Sequence, residues 1–452
     1  MKIRRLAEEE IIRAIKNRQV TACVFGLGKM GLPLALVYAD IGLKVIGVDI
    51  DPKKVEMVNK GINYLDNEPG VAELLSKYAA NDNLKATTCA DEAIKNSDII
   101  TILIPLVVNE YHIPNLTPLY QVAEKISKNL QRDHIIIIET TLPPGTSLSI
   151  GKFIEEKSGM KLGEEFGIAH APERTMSGSV LKDIREKYFK IIGASDNLTL
   201  RAVKTLYTLI NKKGVKTVSS LTVAEAVKVF EGVYRDVNIA LANELAKYTE
   251  LKGINVHEVI KMANNQPYCH IHKPGAGVGG HCIPVYPYFL IHDALQKGLE
   301  LRLIQTARRI NEEMPSHIVW LVIKGLNKLE QGVKNKKILV LGLTYRPYVK
   351  EYRYAPAWQI IRQLRELGAK VYAYDPLTDP DQIKKMGAEP WREDPIDVIV
   401  IVTEYEEFKN MILERYAGLK HAYLIVDGRN LVNEKEAQER GYSYIGVGVN
   451  LS

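Results

Sequence analysis

Short apolar runs alternate with amphipathic stretches in both halves of this 452-residue chain. From Thr21 the sequence reads as an apolar strand, a glycine turn, an amphipathic helix and a second strand that ends at Asp49. Apolar runs at 97–105 and 133–141 follow between helical patterns, as buried parallel strands do. The alternation begins again at Lys336. The pattern therefore predicts an α/β fold with two Rossmann-like domains, each built on a parallel sheet.

The region between these halves has helical periodicity. From Ser219, apolar residues recur at spacings of three and four for about nine turns, which predicts one long helix. Thr222 and Glu225 have the spacing of a capping box, and Gly253 stands where a helix end favours glycine. More helix is expected to about Leu329, apart from a glycine-rich loop. We predict a helical extension at 1–20, then domains at 21–215, 216–332 and 333–452.

The turn after the first strand, "GLGKMG", has the glycine spacing of a dinucleotide-binding turn. Gly26 permits the tight turn, Gly28 lets the backbone approach a pyrophosphate, and Gly31 lets helix and strand pack closely. Asp49 ends the next strand, where a carboxylate can bind the adenosine ribose, and an acid there favours NAD over NADP. Lys54 is either a second contact of that ribose or phosphate or a solvated helix lysine.

Cys282 lies in "PGAGVGGHCIPVYPYF", residues 274–289, behind four glycines and His281. A buried cysteine is usually an inert small hydrophobe. A glycine loop can instead press its backbone against a ligand, and a thiol near a nicotinamide suggests covalent oxidation of an aldehyde through a thioester. Ligation of a metal by Cys282 and His281 is a third interpretation, although no second cluster of ligands accompanies them. The residues alone leave these alternatives open.

Several other charged residues have functional and structural interpretations of equal weight. Lys228 and Arg235 lie on one face of the long helix, roughly 10 Å apart, and could hold a diphosphate or an oxyanion. Glu173, in "HAPERT", follows a proline after an apolar strand, a position suited to a base that steers water. Arg346 and Arg353 have the guanidinium fork that binds phosphates. Each could equally be a solvated surface charge.

Composition narrows the class of protein. The net charge of +6 is spread along the chain without a basic block, which suits a small anionic ligand better than a nucleic acid. The four cysteines lie far apart without a CxxC pair, so neither a disulfide framework nor a bound metal is expected. The charged start and the absence of a run of roughly 20 apolar residues predict a cytoplasmic protein with no membrane partner.

Seven ordered motifs together resemble the nucleotide-sugar 6-dehydrogenases, the family of UDP-glucose and UDP-N-acetylmannosamine dehydrogenases. They are "GLGKMGLPLA", "TTLPPGT", "APER", "AEAVKVFEGVYRDVNIALANE", "GVGGHCIPV", "LGLTYRP" and "RYAPA". The resemblance implies that residues 21–215 bind NAD, that 216–332 carry the cysteine loop and dimerise through the long helix, and that 333–452 bind a UDP-sugar. "GGHCI", "RDVNIA" and "PER" resemble the N-acetylhexosamine branch and its archaeal members, so the implied partner molecules are a UDP-sugar and another copy of this chain.

Roles follow position by position from the same resemblance. Cys282 takes the place of the nucleophile, Lys228 that of the catalytic lysine, and Glu173 that of the acid that steers water. The substrate-binding positions are matched by Arg174, Thr175, Lys228, Arg235, Gly279 and Arg353. The NAD-binding positions are matched by Gly26, Gly28, Lys29, Met30, Gly31, Asp49, Lys54, Thr141 and Arg346.

The chain departs from the family pattern at four positions. Gly232 stands for an expected Asn and Tyr286 for an expected Asp, both of which help the oxyanion or the hydrolytic water in the family. Leu106 replaces a threonine expected near NAD, and Tyr268 replaces an arginine expected at the substrate. A histidine, His270 or His272, is the candidate substitute for that arginine.

The implied activity is the NAD-dependent, four-electron oxidation of the C6 alcohol of UDP-N-acetyl-D-mannosamine to a carboxylate, a step that would supply glycan precursors. UDP-N-acetylglucosamine and UDP-glucose are the alternative substrates. A two-electron hydroxy-acid dehydrogenase shares the three-part layout but needs no thiol. The departures at Gly232 and Tyr286 also leave open a UDP-sugar sensor without catalysis.

Overall fold

A computed structural model describes residues 2–449 of the chain. The chain divides into two compact units, each of which contains one β-sheet. The first unit comprises Met1–Glu231 and Tyr288–Asp293, and the second comprises Gly232–Pro287 and Ala294–Ser452. The predicted α/β class, with a strand-and-helix half on each side of a helical middle, is confirmed.

The sheet of the first unit has the strand order β3-β2-β1-β4-β5-β6-β7-β8, which begins with the order of the Rossmann fold. β4 and β5 consist almost entirely of isoleucine and are fully buried, as expected for central strands covered on both faces. Its strands are β1 Thr21–Phe25, β2 Lys44–Val48, β3 Leu84–Thr87, β4 Ile99–Ile102, β5 Ile135–Ile138, β6 Gly167–His170, β7 Lys190–Ala194 and β8 Val215–Thr217.

One strand pair of the first unit departs from the predicted parallel arrangement. β7 runs antiparallel to β6, through the pairs Ala169 with Ala194 and His170 with Gly193, whereas the other described pairs of this sheet are parallel. The chain between β6 and β7 contains a short helix and a π-helical turn but no crossover helix that would return it to the starting edge. β7 therefore enters the sheet from the opposite end.

Helices cover both faces of this sheet and bury its aliphatic side chains in two clusters. They are α1 Glu8–Lys16, α2 Gly31–Asp40, α3 Pro52–Asn59, α4 Val71–Ala80, α5 Ala90–Lys95, α6 Thr117–Asn129, α7 Thr146–Ser158, α8 Val180–Lys182 and α9 Asn197–Ile210. The predicted N-terminal helical extension belongs to this unit. Arg4 is fully buried there between the carboxylates of Asp133 and Asp196, at 3.4 and 3.0 Å.

The helical middle contains α10 Leu221–Lys252, α11 Val256–Ala263, α12 Tyr286–Gln296 and α13 Arg302–Lys328. The single long helix is therefore confirmed, and it ends before Gly253, whose φ of +67° suits glycine. The predicted capping box is wrong because Thr222 lies inside the helix and the hydroxyl of Ser220 accepts the N–H of Val223 instead. Glu225 is buried, and its carboxylate accepts N–H groups at the start of α7.

The second unit contains a six-stranded parallel sheet in the order β11-β10-β9-β12-β13-β14, the complete Rossmann order. The strands are β9 Lys337–Leu341, β10 Lys370–Tyr374, β11 Glu389–Pro390, β12 Val398–Ile401, β13 Leu424–Asp427 and β14 Ser443–Gly446. The helices that follow α13 are α14 Pro356–Glu366, α15 Pro380–Lys385, α16 Glu406–Leu413 and α17 Glu434–Glu439. Aliphatic clusters on both faces of the sheet form the core of this unit.

No helix within residues 2–449 combines the length and apolar character that crossing a bilayer requires. Within the same residues, no group of three or more His, Cys, Asp or Glu side chains is arranged to hold a metal ion.

Candidate active site

The three glycines of the turn between β1 and α2 differ in the space around them: two are enclosed by the backbone and one faces open space. A Cβ added to Gly26 would lie 2.3 Å from the carbonyl oxygen of Leu103, and one added to Gly31 would lie 1.8 Å from that of Gly26. Both positions are therefore closed to a side chain by the protein itself. A Cβ on Gly28 would meet no atom within 4 Å. Gly28 thus leaves a side-chain-free approach to the start of α2.

This cradle fits the diphosphate of NAD. α2 begins at Gly31, and no described side chain caps its first N–H groups, which can bind an anion at the positive end of the helix dipole. Asp49 lies directly after β2, where its carboxylate accepts the N–H of Leu27 at 2.8 Å and that of Asp51 at 3.0 Å. A carboxylate has further acceptor sites for ribose hydroxyls. The ammonium of Lys54 lies 3.7 Å from the same carboxylate.

Other predicted NAD-binding residues lie in the glycine turn or at the carboxyl end of a strand of the same sheet. Lys29 is exposed in the turn and Met30 is half-buried at the start of α2. Thr141 follows β5, and because β1, β2 and β5 are parallel, Thr141 and Asp49 lie at the same edge of the sheet. Leu106 packs against the aliphatic cluster that includes β4 and β5, so its side chain contributes to the core.

The loop after β6 carries three predicted residues of the first unit. The carboxylate of Glu173 accepts the N–H of Thr175, whose hydroxyl lies 3.1 Å from the sulfur of Met30. The guanidinium of Arg174 binds the carboxylate of Glu231, with Nε 3.1 Å from Oε2. The loop therefore reaches the dinucleotide turn, while the arginine fork is engaged by an acid of α10.

Lys228 lies on α10 in the part of the helix that belongs to the first unit, and its side chain is half-buried. Glu231 follows it within the same turn and binds Arg174. The first unit therefore contains the predicted catalytic lysine and the predicted water-steering acid, and Cys282 belongs to the second unit.

The glycine loop before Cys282 packs against the protein's own atoms. A Cβ on Gly279 would lie 2.7 Å from both Tyr345 Cβ and the carbonyl oxygen of Tyr354, and one on Gly280 would lie 3.0 Å from the Tyr345 ring. A Cβ on Gly277 would lie 3.1 Å from Pro356. The side-chain faces of these glycines are therefore filled by the protein itself, and contact of the loop backbone with a ligand stays a prediction. The glycines let the loop pack tightly, which fixes the position of the cysteine.

Cys282 is an exposed free thiol, which excludes the interpretation as an inert core residue. The N–H of Tyr286 donates to the Cys282 carbonyl at 2.9 Å, so the residues span one helical turn. The Tyr286 hydroxyl lies 3.2 Å from the Cys282 sulfur and donates a hydrogen bond to it. His281 turns away, with Nε2 2.8 Å from a carboxylate oxygen of Glu351. The thiol thus has a hydroxyl neighbour rather than an imidazole neighbour.

Tyr345, in the second unit, lies near several of the predicted site residues. Burial raises its pKa. Four ionisable groups lie close enough to act on the same pKa: Arg346, which lowers it, Cys282 and Glu351, which raise it, and Arg235, which lowers it. The structure therefore brings together Cys282, Arg235 and Arg346, which are far apart in sequence. Arg353 is exposed beside this group, and its carbonyl accepts the N–H of Gly280 at 2.8 Å.

The candidate substitutes for the expected arginine have different environments. Tyr268 itself is 90% exposed, so it packs against little of the unit. Burial, aided by the positive charge of Arg235, lowers the pKa of His272 from its ordinary value. Both effects disfavour the charged form of His272, which weighs against it as a substitute for a cation. His270 is exposed, and its carbonyl accepts a hydrogen bond from Asn238 at 2.7 Å.

Sequence reasoning missed two contributors to these sites and the contact made by a third. Tyr345 packs on the glycine loop and Glu231 holds Arg174. Tyr286 was noted only as a departure from the family pattern, and its hydroxyl contacts the thiol. Tyr345 is next to a predicted residue in "LTYRP", so its motif was a usable signal. The contact of Glu231 joins residues 57 positions apart, and nothing local indicates it.

Both units of the chain are similar to known proteins. Three models of the UDP-glucose/GDP-mannose dehydrogenase family match: the NAD binding domain over 20–211, the central domain over 222–313 and the UDP binding domain over 339–434. Among curated proteins, the UDP-N-acetyl-D-mannosamine dehydrogenases of Pyrococcus horikoshii and Methanocaldococcus jannaschii are each 34% identical. The alignments cover 94% of this chain and 98% and 96% of those proteins.

A solved structure of the UDP-D-ManNAc dehydrogenase from Pyrococcus horikoshii is similar over 96% of this chain and 100% of its own, with a TM-score of 0.86 at 32% identity. The matches run through the dinucleotide turn, the long helix and the sheet of the second unit, which are the parts that carry the candidate residues. The chain therefore belongs to the UDP-glucose/GDP-mannose dehydrogenase family and is an NAD-dependent nucleotide-sugar dehydrogenase with a UDP-binding domain.

Proposed function

We propose that this enzyme oxidises the C6 alcohol of UDP-N-acetyl-D-mannosamine to the carboxylate of UDP-N-acetyl-D-mannosaminuronate. Relatives at 34% identity that align with nearly the whole chain bear the name of that activity. The observation that carries the four-electron chemistry is the exposed Cys282 thiol, held at the end of a tightly packed glycine loop. Such a nucleophile gives the second oxidation a covalent route, in which the thiol adduct of the aldehyde loses hydride to form an acyl intermediate.

The thiol chemistry assigns one task to each catalytic residue. The Cys282 thiolate adds to the aldehyde carbon formed in the first oxidation, which creates a C–S bond and an oxyanion. Loss of hydride from that carbon leaves a thioester, and water then cleaves the C–S bond to release the carboxylate and the thiolate. NAD, when bound, accepts one hydride in each of the two oxidations. Lys228 is the cation for the oxyanion, and Glu173 is the acid that positions the water.

Binding roles complete the proposal. The NAD-binding residues are Gly26, Gly28, Lys29, Met30, Gly31, Asp49, Lys54, Thr141 and Arg346. The UDP-sugar is bound by Arg174, Thr175, Lys228, Arg235, Gly279 and Arg353. The closed side-chain face of Gly279 limits its part to the backbone, and the bond of Arg174 to Glu231 orients that guanidinium. Arginine at these positions suits the diphosphate of a UDP-sugar.

The domain and oligomer predictions belong to the same proposal. The predicted boundaries at 215 and 333 separate NAD-binding, central and UDP-sugar-binding domains. Exposed apolar residues follow α10 at spacings of four and seven, a stripe that supports a homodimer through this helix: Phe230, Tyr234, Leu241 and Tyr248. The acid product is an activated sugar that would serve glycan precursor synthesis in the cytoplasm.

The decisive experiment counts NADH formed per sugar consumed for UDP-N-acetylmannosamine, UDP-N-acetylglucosamine and UDP-glucose. We expect two NADH for each UDP-N-acetylmannosamine and far slower turnover of the others. Cys282→Ala is expected to lose the acid product, while Cys89→Ala, which removes an exposed thiol of the first unit, is expected to keep it. One NADH per sugar, or acid formed without Cys282, would overturn the mechanism. Binding without turnover of any of the three sugars would indicate a sensor.

A further inference from the structure

Gly232 and Tyr286, two departures from the family pattern, contact each other in the second unit. A Cβ on Gly232 would lie 2.9 Å from Cδ2 and 3.4 Å from Cβ of Tyr286. Gly232 lies inside α10, where glycine is unfavourable for the helix, so a packing reason for it is needed. The tyrosine ring supplies that reason because it occupies the space that any other side chain at 232 would fill.

The same contact fixes where the Tyr286 hydroxyl points. The backbone N–H of Tyr286 donates to the carbonyl of Cys282, so the side chains of these two residues, four apart in sequence, lie on one face of a helical turn. With the ring seated on Gly232, the hydroxyl reaches the Cys282 sulfur at 3.2 Å. Asn at 232 with Tyr at 286 would clash, and the two departures therefore form one packing arrangement.

We propose that the Tyr286 hydroxyl is a catalytic group that donates a hydrogen bond to the Cys282 thiolate. This proposal rests on the proposed function, in which Cys282 is the nucleophile. The donor stabilises the thiolate before it attacks the aldehyde, and it stabilises the same sulfur again when the thioester C–S bond breaks and its electron pair returns to sulfur. Tyr286 keeps its proton throughout, so no additional acid or base is required.

Gly232 is the positioning residue of this arrangement. It touches no reacting atom in the second unit, but it admits the ring that carries the hydroxyl. The arrangement places a neutral donor where the resemblance implies an acidic side chain. A neutral donor favours the thiolate, whereas a carboxylate at the same place would oppose it through like charge.

The first test measures alkylation of Cys282 by iodoacetamide, followed by peptide mass spectrometry, in wild type and Tyr286→Phe. Hydrogen bonds to charged groups are strong enough that losing this one should lower the thiolate fraction at pH 7 about tenfold. The remaining thiolate is about 2.5-fold more nucleophilic, so alkylation at pH 7 should be about fourfold slower. N-ethylmaleimide, a bulkier reagent that also reacts with the thiolate, should be slowed by a similar factor at pH 7.

This comparison separates a lost hydrogen bond from altered access, which would change the rates of the small and the bulky reagent by different factors. Cys89, exposed in the first unit, serves as the internal control and should react equally in both proteins. Equal Cys282 rates in wild type and Tyr286→Phe with both reagents, or slowing with the bulky reagent alone, would overturn the role of Tyr286. Matched melting curves confirm that both proteins are folded.

A second variant tests the packing arrangement. Gly232→Ala introduces a good helix former but places its Cβ against the Tyr286 ring, so we expect the same alkylation defect as in Tyr286→Phe. In the Tyr286→Phe background, Gly232→Ala should add nothing, because the hydroxyl is already absent. An alkylation rate in Gly232→Ala equal to that of wild type would contradict the positioning role of glycine.

Steady-state kinetics distinguish this inference from the proposed function. Tyr286→Phe is expected to lower kcat for acid formation about tenfold with the KM for the UDP-sugar unchanged, because the group acts on sulfur and not on substrate binding. Normal alkylation and kcat in Tyr286→Phe, together with loss of acid in Cys282→Ala, would remove Tyr286 alone from the mechanism. Acid formed by Cys282→Ala would instead remove the nucleophile, whatever the alkylation rates.

Discussion

Three glycines of one hexapeptide perform two different tasks at the scale of single residues. Gly26 and Gly31 are required by the protein's own backbone, since carbonyl oxygens occupy the places of their Cβ atoms. Gly28 is not required by the fold, because its Cβ position is open. The sequence motif treats the three alike. In the structure, Gly28 is the one of these three glycines whose Cβ position is open, so its lack of a side chain is the one that the proposed NAD site explains.

Alanine substitutions at Gly28 and Gly31 should have different effects on folding stability and on NAD binding. Gly28→Ala should leave the melting temperature within about 1 °C and weaken NAD binding about tenfold or more, about 1.4 kcal/mol, because a methyl group enters the pyrophosphate approach. Gly31→Ala should lower the free energy of unfolding by about 2 kcal/mol through overpacking against Gly26. Calorimetric melting and NAD titration of both variants check this. Equal destabilisation by the two substitutions would contradict it.

At the scale of elements, the start of α10 is connected to the start of α7. Glu225, fully buried in the first turns of α10, accepts the N–H of Gly145 at 2.5 Å and that of Ser147 at 2.6 Å. These N–H groups belong to the first turn of α7, which no local residue caps. Glu225, which has the spacing of a local capping box, therefore caps α7, a helix that begins 79 residues earlier in sequence, at Thr146.

The two members of the predicted capping box should differ in their effect on stability. Glu225→Ala removes the acceptor of two buried N–H groups and should lower the free energy of unfolding by about 2 kcal/mol. Thr222→Ala, at an exposed position, should change it by less than about 0.5 kcal/mol. Urea unfolding monitored by circular dichroism measures both. A larger loss in Thr222→Ala would restore the local capping box.

At the scale of the whole molecule, buried histidines connect folding to pH. Burial lowers the pKa of His134 to about 4, against the opposing effect of its hydrogen bond to the Ser97 carbonyl. Burial, aided by the charge of Lys190, also lowers the pKa of His170 to about 3. Between pH 6.5 and 4, therefore, the unfolded chain binds protons at these imidazoles and the folded chain does not. The free energy of unfolding must fall as the pH falls through this window.

His134 alone should contribute a slope of up to about 1.4 kcal/mol per pH unit within that window. His134→Gln has no imidazole to protonate, so its stability should fall less steeply than that of wild type between pH 6.5 and 4.5. His421→Gln, at an exposed position, is the control and should keep the wild-type slope. Urea unfolding at three pH values measures the slopes. The same slope in wild type and His134→Gln would show that His134 is protonated in the folded chain.

The kinds and order of the elements, the dinucleotide turn and the family could all be predicted from the amino-acid sequence. These features depend on periodicity and short motifs, in which neighbours along the chain carry the signal: the isoleucine runs of β4 and β5, the glycines at 26, 28 and 31, and the length of α10. Only the tertiary structure decided which atoms those residues meet. The antiparallel β7, the partner of Glu225, the packing of the glycine loop on Tyr345 and the fit of Tyr286 onto Gly232 all join residues that are distant along the chain. Such contacts are set by steric complementarity between elements after they pack. In the sequence, Gly232 is only the loss of an expected Asn; in the structure, it is the residue on which the Tyr286 ring packs.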